Sequence, residues 1–232
     1  MNVLITGANR GLGYALAELG AERGFAIYAG VRRLERAQQL QDLNKRYAGR
    51  VQPVALDVTQ ESSIAAAANA LRSQGVMLDA VVNNAAVLLG RSVQIEELEL
   101  ADLIDSFTAN LFGPMMVIKH FLPLVAKGPQ ATLVNISSEA GSMAGAYGGD
   151  YPYALSKASL NYFSLQLKQY VKDAGVHVYA VHPGWIQTDM GGSAAPGDPN
   201  VSAKGILDVI ERKIMIGHEA VFIDHNGQPM AL

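Results

Sequence analysis

Residues 3–13 read VLITGANRGLG. Val3, Leu4 and Ile5 form a short apolar run suited to a strand buried on both faces. Thr6 and Gly7 end the run, and from Gly11 the apolar positions recur at helical spacing as far as Arg23. A strand that turns through glycines into a helix brings free backbone N–H groups to the turn. The absence of side chains there lets a phosphate approach the main chain. A tight turn alone would also select glycine, and the spacing GxxxGxG differs from the GxGxxG of the broad dinucleotide fingerprint. Its place between strand and helix favours the phosphate reading. Gly7, Asn9, Arg10, Gly11, Leu12 and Gly13 are therefore candidate cofactor contacts.

The same alternation continues along the chain. Apolar runs predict strands at 26–29, 51–56, 78–82, 131–136, 176–181 and 220–223. Helical periodicity predicts helices at 34–47, 62–74, 101–125, 153–173 and 204–212. Strand–helix alternation with continuously apolar strands implies right-handed crossovers and a parallel sheet covered on both sides. The expected fold class is α/β, a single-domain doubly wound Rossmann-type sheet spanning residues 1–232. The stretch 191–200, GGSAAPGDPN, is rich in glycine and proline and reads as a mobile loop over a site.

Composition narrows the function. Half of the 232 residues are hydrophobic, 17% are charged and the net charge is −3, which gives no footprint for nucleic acid or an anionic membrane. With no cysteine, disulfides, thiolate catalysis and Cys-ligated zinc are excluded. The five histidines are scattered without an HExxH pattern, so no metal site is expected. No signal peptide and no apolar run of spanning length is visible, which predicts a cytoplasmic protein.

The end of the second strand bears on the cofactor. An acidic residue there would favour NAD through the ribose 2′-OH. The sequence has Gly30-Val31-Arg32-Arg33 instead. A guanidinium suits a 2′-phosphate, and Arg10 is placed to join Arg32. A purely structural role is disfavoured because cations oppose the dipole at a helix N-terminus. NADP(H) is expected over NAD(H).

Tyr153 and Lys157 lie four apart on a predicted helix and share a face. A neighbouring ammonium favours the phenolate, so the pair can exchange a proton with a carbonyl or alcohol oxygen. An isolated YxxxK is usually an ordinary surface pair. Here the fifth strand ends in Ser137-Ser138, and hydroxyls at the carboxyl end of a parallel strand face the ligand crevice.

Seven motifs in order make the reading specific: TGANRGLG (6–13), LDVT (56–59), NNAA (83–86), Asn110, SSEAG (137–141), YALSK (153–157) and HPGWIQTDM (182–190). The chain resembles the short-chain dehydrogenase/reductase family over nearly its whole length, closest to the C-factor/sniffer-type small carbonyl reductases. The resemblance implies that Tyr153 is the general acid/base, that Lys157 lowers its pKa and holds the nicotinamide ribose, and that Ser138 orients the carbonyl. It makes Asn110 support for a proton-relay water. Asp57 and Val58 would bind the adenine end, Asn84, Ala85 and Ala86 the adjacent ribose region. Pro183, Gly184, Ile186 and Thr188 would hold the carboxamide and phosphates.

Two departures stand out. Ala86 replaces the family's usual glycine, and the segment from Ser138 to Tyr153 is longer than usual. Ser138, Met143, Tyr147, Tyr151, Trp185 and Met190 are expected to line an apolar pocket for a hydrophobic aldehyde or ketone. No arginine is evidently placed to clamp a carboxylate. Apolar residues beyond one face of the long helices, including Phe112, Met115, Met116, Tyr162, Phe163 and Leu167, suggest a homodimer. The expected activity is NADPH-dependent carbonyl reduction. Two alternatives remain, an NADP(H)-binding signalling protein with little turnover and an NAD-dependent alcohol oxidase.

Overall fold

The computed structural model describes residues 1–232. Seven strands form one sheet in the order β3-β2-β1-β4-β5-β6-β7, and every pairing within it is parallel. The strands are β1 (Asn2–Thr6), β2 (Ala26–Val31), β3 (Val51–Ala55), β4 (Ala80–Asn83), β5 (Thr132–Ile136), β6 (His177–His182) and β7 (Phe222–Asp224). The chain reverses its direction of travel across the sheet at β1, between β2 and β4. Carboxyl ends of strands flanking such a switch point form the binding crevice of open α/β sheets.

The pleat explains why β1 is apolar without a break from Val3 to Ile5. Val3 and Ile5 join one buried cluster with Leu16 and Ile206, while Leu4 between them joins the other with Phe121 and Leu167. The first cluster includes residues of α1 (Gly11–Glu22) and α7 (Pro199–Ile210), which pack against each other. The second includes residues of α3 (Glu61–Ser73), α5 (Gly113–Phe121) and α6 (Tyr151–Tyr170).

Three expectations change in detail. The helix foreseen at 34–47 divides into a 3₁₀ turn at Leu34–Arg36 and α2 (Gln38–Arg46). The helix foreseen at 101–125 is also broken. It runs as α4 (Leu100–Phe107), a π-helical turn (Thr108–Phe112) and then α5. Pro114 has no N–H to offer the Asn110 carbonyl four residues back, and the Gly113 N–H bonds Thr108, five residues back. Third, the Gly/Pro-rich stretch is pinned at its centre. Gln187 donates to the Gly197 carbonyl at 2.9 Å, and the Gly197 N–H to Trp185 at 3.0 Å.

Candidate active site

A cleft of about 1110 Å³ opens along the carboxyl ends of the strands. At its centre the glycine turn leads into α1. Gly7 has φ +65°, and a Cβ there would lie 2.9 Å from the Ala85 Cα, so the turn needs glycine for conformation and for contact with the loop after β4. Gly7, Asn9, Arg10, Gly11 and Leu12 line the cleft. Gly13 does not. A Cβ there would meet the Gly7 carbonyl at 2.4 Å and Asn84 Nδ2 at 2.5 Å, so its place is in helix–turn packing. Asn84 Nδ2 donates to the carbonyls of Thr6 and Gly7, tying the two loops together. Ala86 lines the cleft with ordinary negative-φ backbone, so its methyl costs no strain.

Beyond the carboxyl ends of β2 and β3 the cleft is lined by Arg32, Arg33 and Arg36 with Leu56, Asp57, Val58 and Thr59. The chain's arginine ion pairs involve Arg10, Arg23 and Arg46, leaving this trio free. Arg36 escaped the sequence reading, although its spacing of four from Arg32 was a usable signal. Arg10 is otherwise engaged than expected. Its guanidinium donates to Asp189 at 2.7 Å, joining the glycine turn to the segment after β6.

The opposite end carries the titratable groups. Lys157 is buried on α6, and its Nζ donates to the Ile136 carbonyl at 2.7 Å and lies 5.6 Å from the centre of the Tyr153 ring. Burial pushes its pKa down to about 7. Burial also raises the Tyr153 phenol, while the Ser138 hydroxyl and the charge of Arg91 pull it back. Contrary to expectation, Lys157 is not among the influences that lower it; those are Ser138 and Arg91, and desolvation outweighs them.

The two serines differ in burial. Both border the cleft, but Ser137 is buried and its hydroxyl donates to Asn161 Oδ1 at 2.5 Å, whereas Ser138 is only partly buried beside Tyr153 and its Oγ accepts from the Ala140 N–H at 3.2 Å. Asn161 Nδ2 also donates to the Gly141 carbonyl, so α6 holds the Ser138 turn at two points. Asn110 is buried behind the cleft in the π-helical turn. Its amide accepts from the Val87 N–H at 2.8 Å, and donates to the Val87 carbonyl at 2.9 Å and the Ser156 hydroxyl at 3.0 Å.

The comparisons agree with this geometry. The family model for short chain dehydrogenases matches residues 1–198. The chain belongs to the short-chain dehydrogenase family. The C-signal of Myxococcus xanthus is 34% identical over 151 residues, 65% of this chain and 90% of that protein. Chicken fatty liver carbonyl reductase, solved with NADPH bound, superposes with a TM-score of 0.88 at 31% identity, covering 100% of this chain and 98% of that one. The Drosophila melanogaster carbonyl reductase Sniffer gives 0.90 at 28% identity, covering 100% and 99%. The matches to longer proteins from Penicillium crustosum and Botryotinia fuckeliana span 66% and 67% of their lengths.

In this short-chain dehydrogenase the cleft wall expected to meet substrate is mixed. Tyr147, Trp185 and Met190 line the cleft with Pro183, Gly184, Ile186 and Thr188. The indole of Trp185 is half exposed, and its Nε1 donates to the Gly191 carbonyl at 2.9 Å. Tyr147 donates to Asp150 at 3.0 Å; burial and that carboxylate push its pKa up to about 12. Met143 and Tyr151 lie outside the cleft lining. Met143 points instead to a shallow outer groove with Phe112, Met115 and Tyr162, because the long 138–153 segment carries it over the turn. Arg91, Met230 and Ala231 join the wall, and sequence spacing gave no sign of them. No helix is long and apolar enough to cross a membrane.

Proposed function

We propose that this short-chain dehydrogenase is a cytoplasmic NADPH-dependent reductase of hydrophobic aldehydes and ketones. The observation that carries the reading is the meeting of Tyr153 and Ser138 on the cleft wall beside buried Lys157, with three unpaired arginines at the far end. The residues fit the cofactor. The glycine turn and the start of α1 suit a pyrophosphate, and Arg32, Arg33 and Arg36 suit a 2′-phosphate. Asp57 and Val58 flank the adenine end. When bound, NADPH supplies the hydride that reduces the carbonyl carbon.

The protein's own part is to orient and protonate. Ser138 donates a hydrogen bond to the substrate oxygen. Tyr153 gives that oxygen its proton, and its raised pKa keeps the phenol protonated at neutral pH, as a general acid requires. Reduction over oxidation is favoured by the inferred cofactor. Lys157 holds the nicotinamide ribose, and Asn110 supports the proton path behind it. Tyr147, Trp185 and Met190 form the apolar side of the pocket. The exposed groove at Phe112, Met115 and Tyr162 is read as the homodimer face, and a sedimentation mass of one chain would refute it.

Tyr153→Phe should cut turnover by about 10²–10⁴-fold while the NADPH dissociation constant stays within about twofold, as expected when binding and proton transfer are separate. Retained turnover would overturn the assignment. The likeness to C-signal favours a second reading, a signalling protein that binds NADP(H) with little turnover. A panel of aldehydes, ketones and diketones that consumes no NADPH, despite tight binding, would support it.

A further inference from the structure

His182 ends β6 and lines the cleft, yet the reaction described above does not use it. Its Nδ1 accepts a hydrogen bond from the Glu139 backbone N–H at 3.1 Å. A backbone N–H can only donate, so Nδ1 carries no proton and the tautomer is fixed. The other ring nitrogen, Nε2, lies 4.0 Å from the Glu139 carboxylate. His182 therefore faces both the main chain and the side chain of the residue that follows Ser138.

Two side chains from other elements anchor the Ser138 turn, whose Ser138 hydroxyl itself accepts from the Ala140 N–H. On one side Asn161 accepts from the Ser137 hydroxyl and donates to the Gly141 carbonyl, and an amide does both at any ordinary pH. On the other side stands His182. An imidazolium carries a proton on each nitrogen and would set N–H against the Glu139 N–H.

We propose that neutral His182 is a positioning residue: its Nδ1 holds the Glu139 N–H and so keeps the Ser138 hydroxyl aimed at the substrate oxygen, and protonation releases the turn. The inference rests on the carbonyl reductase reading for its kinetic consequence, and on geometry alone for the hydrogen bond. The charged and titratable groups facing the ring are Glu139 from the turn and Asp224 and His225 from the end of β7 and beyond. The two carboxylates favour the imidazolium, while burial and His225 oppose it; burial dominates and holds the pKa below the ordinary histidine value. The clasp is thus closed at neutral pH and opens only on the acid side.

The test uses the full-length protein and two variants over pH 5 to 8. His182→Asn places an amide oxygen near the position of Nδ1 and should keep kcat within about threefold of wild type at pH 8. Wild type should show an acid fall in kcat below the ordinary histidine pKa of about 6.5, and His182→Asn should remove it. His182→Phe offers no acceptor and should lower kcat about tenfold at pH 8, the scale of one lost hydrogen bond, converge on wild type at the acid end, and leave the KM for NADPH unchanged. In ¹H–¹⁵N spectra the Glu139 amide should titrate in wild type in step with the His182 ring, and not in His182→Asn. Wild-type kcat in His182→Phe would overturn the proposal, as would an unaltered acid limb in His182→Asn or a Glu139 amide blind to His182. If no carbonyl is reduced at all, the functional reading fails and the Glu139 amide still decides the clasp.

Discussion

At the scale of single residues, the site separates similar side chains by what surrounds them. Ser137 and Ser138 are adjacent at the cleft, yet one gives its hydroxyl proton to Asn161 and the other, accepting only from the Ala140 N–H, keeps its proton to donate. Arginines separate in the same way. Arg10 is paired with Asp189, while Arg32 and Arg36 have no carboxylate to satisfy them. Replacing both with alanine should weaken NADPH binding by about 10–100-fold, since charge-assisted hydrogen bonds to a phosphate are lost. NADH, which has no 2′-phosphate, should bind within about twofold of its original affinity. The gap between the cofactors should also narrow as salt rises in the wild type, because exposed charges are screened. Equal losses for both cofactors in a fluorescence titration would place the 2′-phosphate elsewhere.

At the scale of elements, the sequence disclosed most of the sheet and less of what interrupts the helices. The strand at 3–5 was legible because burial on both faces leaves a run with no polar break. The Tyr153–Lys157 pair was legible because a helix repeats its face every three to four residues. The π-helical turn was not, since 101–125 keeps a helical pattern on both sides of it. Its only local mark is Gly113-Pro114, which reads equally as a kink. The turn has a clear job in the fold. It lets the Asn110 side chain satisfy both main-chain groups of Val87, next to the loop that carries Ala85 and Ala86. Asn110→Leu would leave the Val87 N–H and the Val87 carbonyl without partners, while the Ser156 hydroxyl keeps its bond to the Tyr153 carbonyl. Each such orphan costs about 1–3 kcal/mol, so the urea midpoint should fall markedly. Asn110→Asp, which keeps the acceptor but not the donors, should fall between. An unchanged midpoint in the leucine variant would mean that other donors and acceptors take over at that loop.

At the scale of the whole molecule, sequence spacing could place groups at the carboxyl edge of the sheet but could not say which distant segments close over them. Met143 was expected in the pocket and lies outside it; Arg91 was not expected and lies within. Both depend on how long loops lie over the edge, which no periodicity records. Burial of a charge, by contrast, is felt by the entire fold. Lys157 has its pKa pushed down from 10.5 to about 7 by desolvation. Below pH 7 the lysine is protonated folded and unfolded, and folding bears the whole cost of burying the ammonium. Between pH 7 and 10.5 the unfolded chain binds the extra proton and the folded one does not. Stability contributed at this site must therefore rise with pH across that window, at up to about 1.4 kcal/mol per pH unit. Urea unfolding of the cofactor-free protein between pH 7 and 9.5 should show this rise. Lys157→Met, which removes the titrating group but keeps an apolar stem of similar length, should flatten it. Parallel curves for the two proteins would mean that Lys157 stays protonated in the fold. The Tyr153 phenol would then work beside a full positive charge rather than a partly neutral amine.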